Sequence, residues 1–121
     1  MSAGADFRSR RHKPRRDVEG RIDVIDCMTG RTVGRIGNLS ESGMLLRVDT
    51  LLRPDALYQL RFELPGQGTG AGTIEVGVHV LWLDPARDGG PGHVLAWAGL
   101  HFIHVPTAHR KRLQAWVGQA S

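Results

Sequence analysis

A single cysteine, Cys27, is all the thiol chemistry in this 121-residue chain. That excludes an internal disulfide, and no Cys or His cluster has the spacing of a zinc site, so a reducing compartment fits. Long apolar runs are also missing. Gly or a charged residue cuts every apolar stretch well short of the ~18 residues of a membrane-spanning helix. The arginine-rich start is followed, after Arg16, by Asp17-Val18-Glu19-Gly20-Arg21, which lacks the apolar segment of an export signal. Together these absences read as a cytoplasmic protein. No Ser or Cys comes with a recognisable base and orienting acid, and no carboxylate pair stands out, so the chain does not read as an enzyme. No internal repeat is visible.

What is present suits one small domain. With 40% apolar residues, 121 positions bury one core but hardly two, and 16 glycines indicate many turns. The net charge of +4 is unevenly placed. Residues 1–16 hold Arg8, Arg10, Arg11, Lys13, Arg15 and Arg16 against Asp6 alone, a local charge of +5, and the rest of the chain sums to −1. Positive charge is therefore a property of an arm, suited to an anion such as nucleic acid, a nucleotide or an acidic lipid. With Phe7 its only apolar anchor, and with like charges repelling, the arm is expected to order only when an anion binds.

Residues 1–17 show no period and are read as that arm; residues 18–121 are read as the domain. Val18–Asp26 and Thr32–Leu39 flank Met28-Thr29-Gly30, a tight hairpin connection with glycine supplying positive φ. Gly43–Val48 reads as a third strand. Tyr58, Leu60, Phe62 and Leu64 alternate with polar residues in a fourth. Ile74, Val76, Val78, Val80 and Trp82 form the apolar face of a fifth, with Leu81 and Leu83 on the other face. Ala96 to Val105 supplies a sixth, and Thr107 caps a helix running to about Val117. The expected fold is all-β: a six-stranded antiparallel, split β-barrel with a flexible arm and a short C-terminal helix, closure removing exposed edges.

Two Arg-x-x-x-Arg spacings occur, Arg11 with Arg15 and Arg31 with Arg35. The second lies in a strand, where an exposed polar face explains it; the first lies in the arm, where nothing structural calls for it. Asn38-Leu39-Ser40-Glu41-Ser42-Gly43 then places Asn, Ser and Gly at the first, third and sixth positions of a turn between strands. A basic Arg-x-x-x-Arg arm, a hairpin, and Asn-x-Ser-x-x-Gly entering a third strand resemble the PilZ family of cyclic di-GMP receptors. The resemblance extends to Gly99-Leu100-His101-Phe102-Ile103 as the last barrel strand and to the terminal helix, and so covers essentially the whole chain.

The resemblance implies a bacterial second-messenger receptor in which Arg11 and Arg15 grip phosphates and guanine faces. Asn38 and Ser40 would hydrogen-bond at the base and backbone, and Gly43 would permit close approach. Arg10, just before the motif, is implied to favour two stacked ligand molecules per chain, and Arg16 adds charge beside them. Guanidinium groups suit such a ligand: they bond phosphate bidentately, pair with guanine O6 and N7, and stack on bases. With no effector domain in the sequence, the output would pass through an unidentified protein partner, without DNA and without membrane insertion.

The other chemistry-bearing residues carry weaker signals. His101 and His104, three apart in a strand, are expected on opposite faces, which disfavours a metal chelate. Trp82, Trp97 and Trp116 are read as core or helix-docking residues rather than base-stacking ones. Two further functions stand beside the receptor reading. One is a PilZ-like adaptor that binds protein only, against which the joint presence of Arg11, Arg15, Asn38, Ser40 and Gly43 speaks. The other is a barrel binding single-stranded nucleic acid, against which the slightly acidic barrel speaks.

Overall fold

Strands with one apolar face and no second layer to cover it bury that face by curling into a barrel. A computed structural model describes residues 15–18, 20–67, 72–85 and 96–118. Among them run β1 (Arg15–Asp17), β2 (Asp23–Asp26), β3 (Thr32–Ser40), β4 (Gly43–Val48), β5 (Leu57–Glu63), β6 (Thr73–Pro85), β7 (Ala96–His104) and the helix α1 (Thr107–Gly118). All pairings are antiparallel. Strands β3, β2, β5, β6, β7 and β4 follow one another, and β4 pairs back onto β3 to close a six-stranded barrel. β1 is an extra strand on β3. No helix among the described residues is long and apolar enough to cross a membrane.

The interior is filled by the alternating residues. Val24, Leu39, Leu46, Leu60, Ile74, Val76, Val78, Val80 and Ala98 are wholly buried. α1 lies against β6, β1 and β3 and buries Leu113, Trp116 and Val117. The first hairpin forms as expected. Gly30 takes φ +74° and donates to the Asp26 carbonyl at 2.7 Å, while the Asp26 carboxylate accepts from the Met28 amide at 2.8 Å.

The beginning of the domain departs from expectation. Of the strand read as Val18–Asp26 only Asp23–Asp26 is regular, as β2, because pairing on this edge of β3 is interrupted opposite Gly37, and a separate strand, β1, lies before it. The intervening bonds are irregular: Val18 donates to the Gly37 carbonyl, and Ile36 to that of Ile22. The strand β1 is made from the last three residues of the segment read as an arm.

Among the described residues four register shifts interrupt the alternation; on the β2 side of β3, Val24 faces Gly34 and Ile25 faces Thr32, leaving Val33 extra. In β3, Ile36 faces Leu46 and Asn38 faces Leu45, leaving Gly37 extra. In β6, Val80 faces Leu100 and Trp82 faces Gly99, leaving Leu81 extra. In β7, Phe102 faces Val78 and His104 faces Gly77, leaving Ile103 extra. After a bulge the next side chain changes face. This corrects the histidine expectation: His101 and His104 are both exposed on the outer surface rather than on opposite faces.

Closure brings backbones close at Gly34, where a Cβ would run into the Arg47 carbonyl oxygen of β4. Gly34→Ala is expected to lower the unfolding free energy by about 1–3 kcal/mol, the range for overpacking a tight site. A urea melt checks this, with a lower midpoint expected at constant slope; an unchanged midpoint would mean that β3 and β4 separate without penalty.

Candidate functional site

Two bulges aim their displaced side chains at one place. Past Gly37, Asn38 turns outward, while Leu39 returns to the core. Past Leu81, Trp82 also turns outward and is 45% exposed, while Val80 stays buried. Both line an open cleft of about 330 Å³ on the outer surface, together with Arg15, Ser42, Gly43, Met44, Leu45, Leu81, Gly99, Leu100 and His101. Its lining contains no carboxylate among the described residues.

Arg15 reaches the cleft from β1. Its Nη1 donates a 2.9 Å hydrogen bond to Asn38 Oδ1, joining the arm end of one motif to the first residue of the other across 23 positions of sequence. With Oδ1 so engaged, the Asn38 amide group keeps two N–H donors for a ligand. On the opposite wall, the Trp82 indole lies across β7 at Gly99, where a Cβ would collide with the indole ring. Glycine is thus what lets the ring lie against the strand. His101 is exposed beside it.

Ser40 sits behind the cleft rather than in its lining. It is 1% exposed, accepts from the Ser42 and Gly43 amides at 3.2 Å each, and donates to the Gly43 carbonyl at 3.2 Å. The hydroxyl is occupied by the turn between β3 and β4. Gly43 lines the cleft, and the close approach it permits in the free protein is to the Leu100 carbonyl of β7. Arg16 projects to the other side of β1, where its guanidinium stands 3.7 Å above the Trp116 ring. Arg10 and Arg11 lie outside the described residues, as does most of the arm.

The three tryptophans therefore divide. Trp116 is on the buried face of the helix and docks it, as expected. Trp97 lies beside Arg47, whose guanidinium is 5.1 Å from the ring centre. Trp82, assigned to the core by strict alternation, is instead a wall of the cleft. The run Leu81-Trp82-Leu83 was the available signal, since three large apolar residues in succession do not fit a period of two. Gly99, a glycine inside a strand, marked the surface it covers.

The model of the PilZ domain family matches residues 9–119. The chain belongs to the PilZ domain family. The motifs that suggested it, Arg11-x-x-x-Arg15 and Asn38-x-Ser40-x-x-Gly43, fall inside that match. No curated protein matches the chain. Among solved structures, this PilZ domain is similar to "PilZ domain with c-di-GMP of YcgR from Escherichia coli" at 14% identity and a TM-score of 0.67, covering 92% of this chain and 91% of that one. It is also similar to the Bacillus subtilis inhibitor of motility, MotI/DgrA, at 13% identity and a TM-score of 0.68. That alignment covers 89% of this chain and 49% of MotI, so the chain spans about half of that protein's length. At such identities the likeness establishes the PilZ barrel with its C-terminal helix.

The turn behind the cleft gives a test of local structure. Ser40→Ala leaves the Ser42 and Gly43 amides without their partner. A buried unsatisfied donor costs about 1–3 kcal/mol. The variant is expected to unfold at lower urea, with faster amide exchange at residues 42 and 43; exchange equal to wild type would remove Ser40 as the holder of the turn.

Proposed function

We propose that this chain is a cytoplasmic, non-catalytic receptor that binds cyclic di-GMP in the cleft between β1, β3, β4, β6 and β7 and passes its level to a partner protein. The observation that carries the reading is the meeting of Arg15 with Asn38 at 2.9 Å, at the rim of a cleft free of carboxylates among the described residues. A guanidinium and an amide placed side by side match an anion that also presents base edges, since arginine bonds phosphate and guanine alike. Arg11 and Arg10 would reach the ligand from the arm and Gly43 would line its seat. Ser40 would act through the turn, and Trp82 would offer an exposed aromatic face for a guanine to stack on.

In this reading Arg16, which the sequence suggested as a ligand contact, acts from outside the contact set, which its stacking on Trp116 supports. The arm, residues 1–17 in the sequence reading, would fold over the bound ligand from β1, so that binding creates a surface absent from the free protein. Two ligand molecules per chain remain part of the reading, with Arg10 meeting the additional phosphates.

Calorimetric titration with cyclic di-GMP, GMP and a single-stranded oligonucleotide tests the reading. Cyclic di-GMP is expected to bind tightest, with a stoichiometry of two that moves toward one in Arg10→Leu. Arg11→Ala and Arg15→Ala are each expected to weaken binding about ten- to hundredfold, as loss of hydrogen bonds to charged groups implies. Preference for the oligonucleotide would transfer the cleft to a different function, and unchanged affinity in both arginine variants would empty the proposed site.

A further inference from the structure

Arg15 and Arg16 are neighbours on a strand of three residues, so they project to opposite faces. Arg15 meets Asn38 at the cleft. Arg16 turns to α1, where it stacks 3.7 Å above the Trp116 ring and donates a 2.9 Å hydrogen bond to the Trp116 carbonyl oxygen. That carbonyl belongs to the last described turn of the helix, the negative end of its dipole, and α1 has no basic residue of its own there among the described residues. Arg16 supplies a donor and a positive charge at this helix end. Trp116, only 4% exposed, in turn fixes the guanidinium against a buried surface.

β1 needs such an anchor. It is three residues long and, among the described residues, pairs with β3 alone. A slip of one residue in its register would exchange the faces of Arg15 and Arg16 and take Arg15 out of the cleft. A helix of 12 residues is also marginal by itself and draws its stability from docking.

We propose that Arg16 is a positioning residue for the cleft ligand: by gripping α1 it holds β1 in the register that aims Arg15 at Asn38, and so couples helix docking to ligand binding. The inference rests on the reading of the cleft as the cyclic di-GMP site. Coupling of this kind is reciprocal, so whatever factor the docked helix adds to ligand affinity, the ligand returns to helix docking. The helix thereby becomes a second element that senses occupancy, on a face of the barrel the ligand does not touch.

The test uses the full chain, with calorimetry for cyclic di-GMP and amide hydrogen exchange for residues 113–117. In the wild type, cyclic di-GMP is expected to slow exchange in α1. Arg16→Gln is expected to bind about five- to tenfold more weakly, within the usual range of coupling between sites. It should also exchange faster in α1 and lose much of the ligand's protective effect there. Arg16→Lys should recover part of both, keeping the charge without the planar stack; it also carries the comparison should Arg16→Gln unfold. Wild-type affinity in Arg16→Gln, or α1 exchange indifferent to the ligand, would overturn the coupling. If the wild type binds no cyclic di-GMP, the functional reading falls on its own. The tether is then judged on the free proteins, where faster α1 exchange in Arg16→Gln sustains it and equal exchange overturns it.

Discussion

The barrel closes through β4, and β4 fits only because two positions on its flanks carry no side chain. Gly34 of β3 faces the Arg47 carbonyl, and Gly43 of β4 faces the Leu100 carbonyl of β7; a Cβ at either would occupy the place of that oxygen. Six strands make a tightly curved sheet, and strong curvature is accommodated at glycines and bulges. Without close packing on both edges of β4 the ring would stay open, and the apolar faces of β3 and β7 would lose their cover. The cleft depends on the same contacts, since β3 and β4 form one wall of it and β6 and β7 the other. The Ser40 turn delivers Gly43 to its place, which makes a motif associated with a ligand equally a condition of the fold.

An interior packed with Val, Leu and Ile leaves a small barrel no room for a polar guest, and the cleft lies on its outer surface. Bulges do this without disturbing the core. One extra residue at Gly37 and one at Leu81 turn Asn38 and Trp82 outward, toward each other's side of the cleft, while Leu39 and Val80 remain buried. The polar and aromatic sides of the site therefore arise from the same local device on two strands. Arg15 adds the cation from a strand outside the closed ring, where a change of position leaves the barrel intact.

β1 separates two roles that look alike in sequence. Adjacent arginines differ by half a period of the strand, and that difference sends one guanidinium to the cleft and the other to an indole and a helix end. The first keeps its charge available. The second is engaged by Trp116, and its loss is felt in packing as well as in charge.

Much of the architecture was legible in the order of residues. β3 to β7 and α1 lie within a few residues of where periodicity and turn chemistry put them, because a half-buried strand writes its period of two directly into sequence and Gly30 marks its hairpin. The two motifs pointed to Arg15, Asn38 and Gly43 as neighbours. What periodicity could not convey was phase: a bulge inserts one residue without changing composition, so His104 changed face unannounced and Trp82 with only the run Leu81-Trp82-Leu83 to mark it, and the strand read from Val18 became regular only at Asp23. Nor could it tell that Ser40 is enclosed by its own turn, or that Arg16 ends on Trp116, 100 residues away. Local order in the chain set which residues alternate and where they turn; which face each meets, and what waits there, was set by closure of the sheet, because pairing register is a property of two strands and not of either alone.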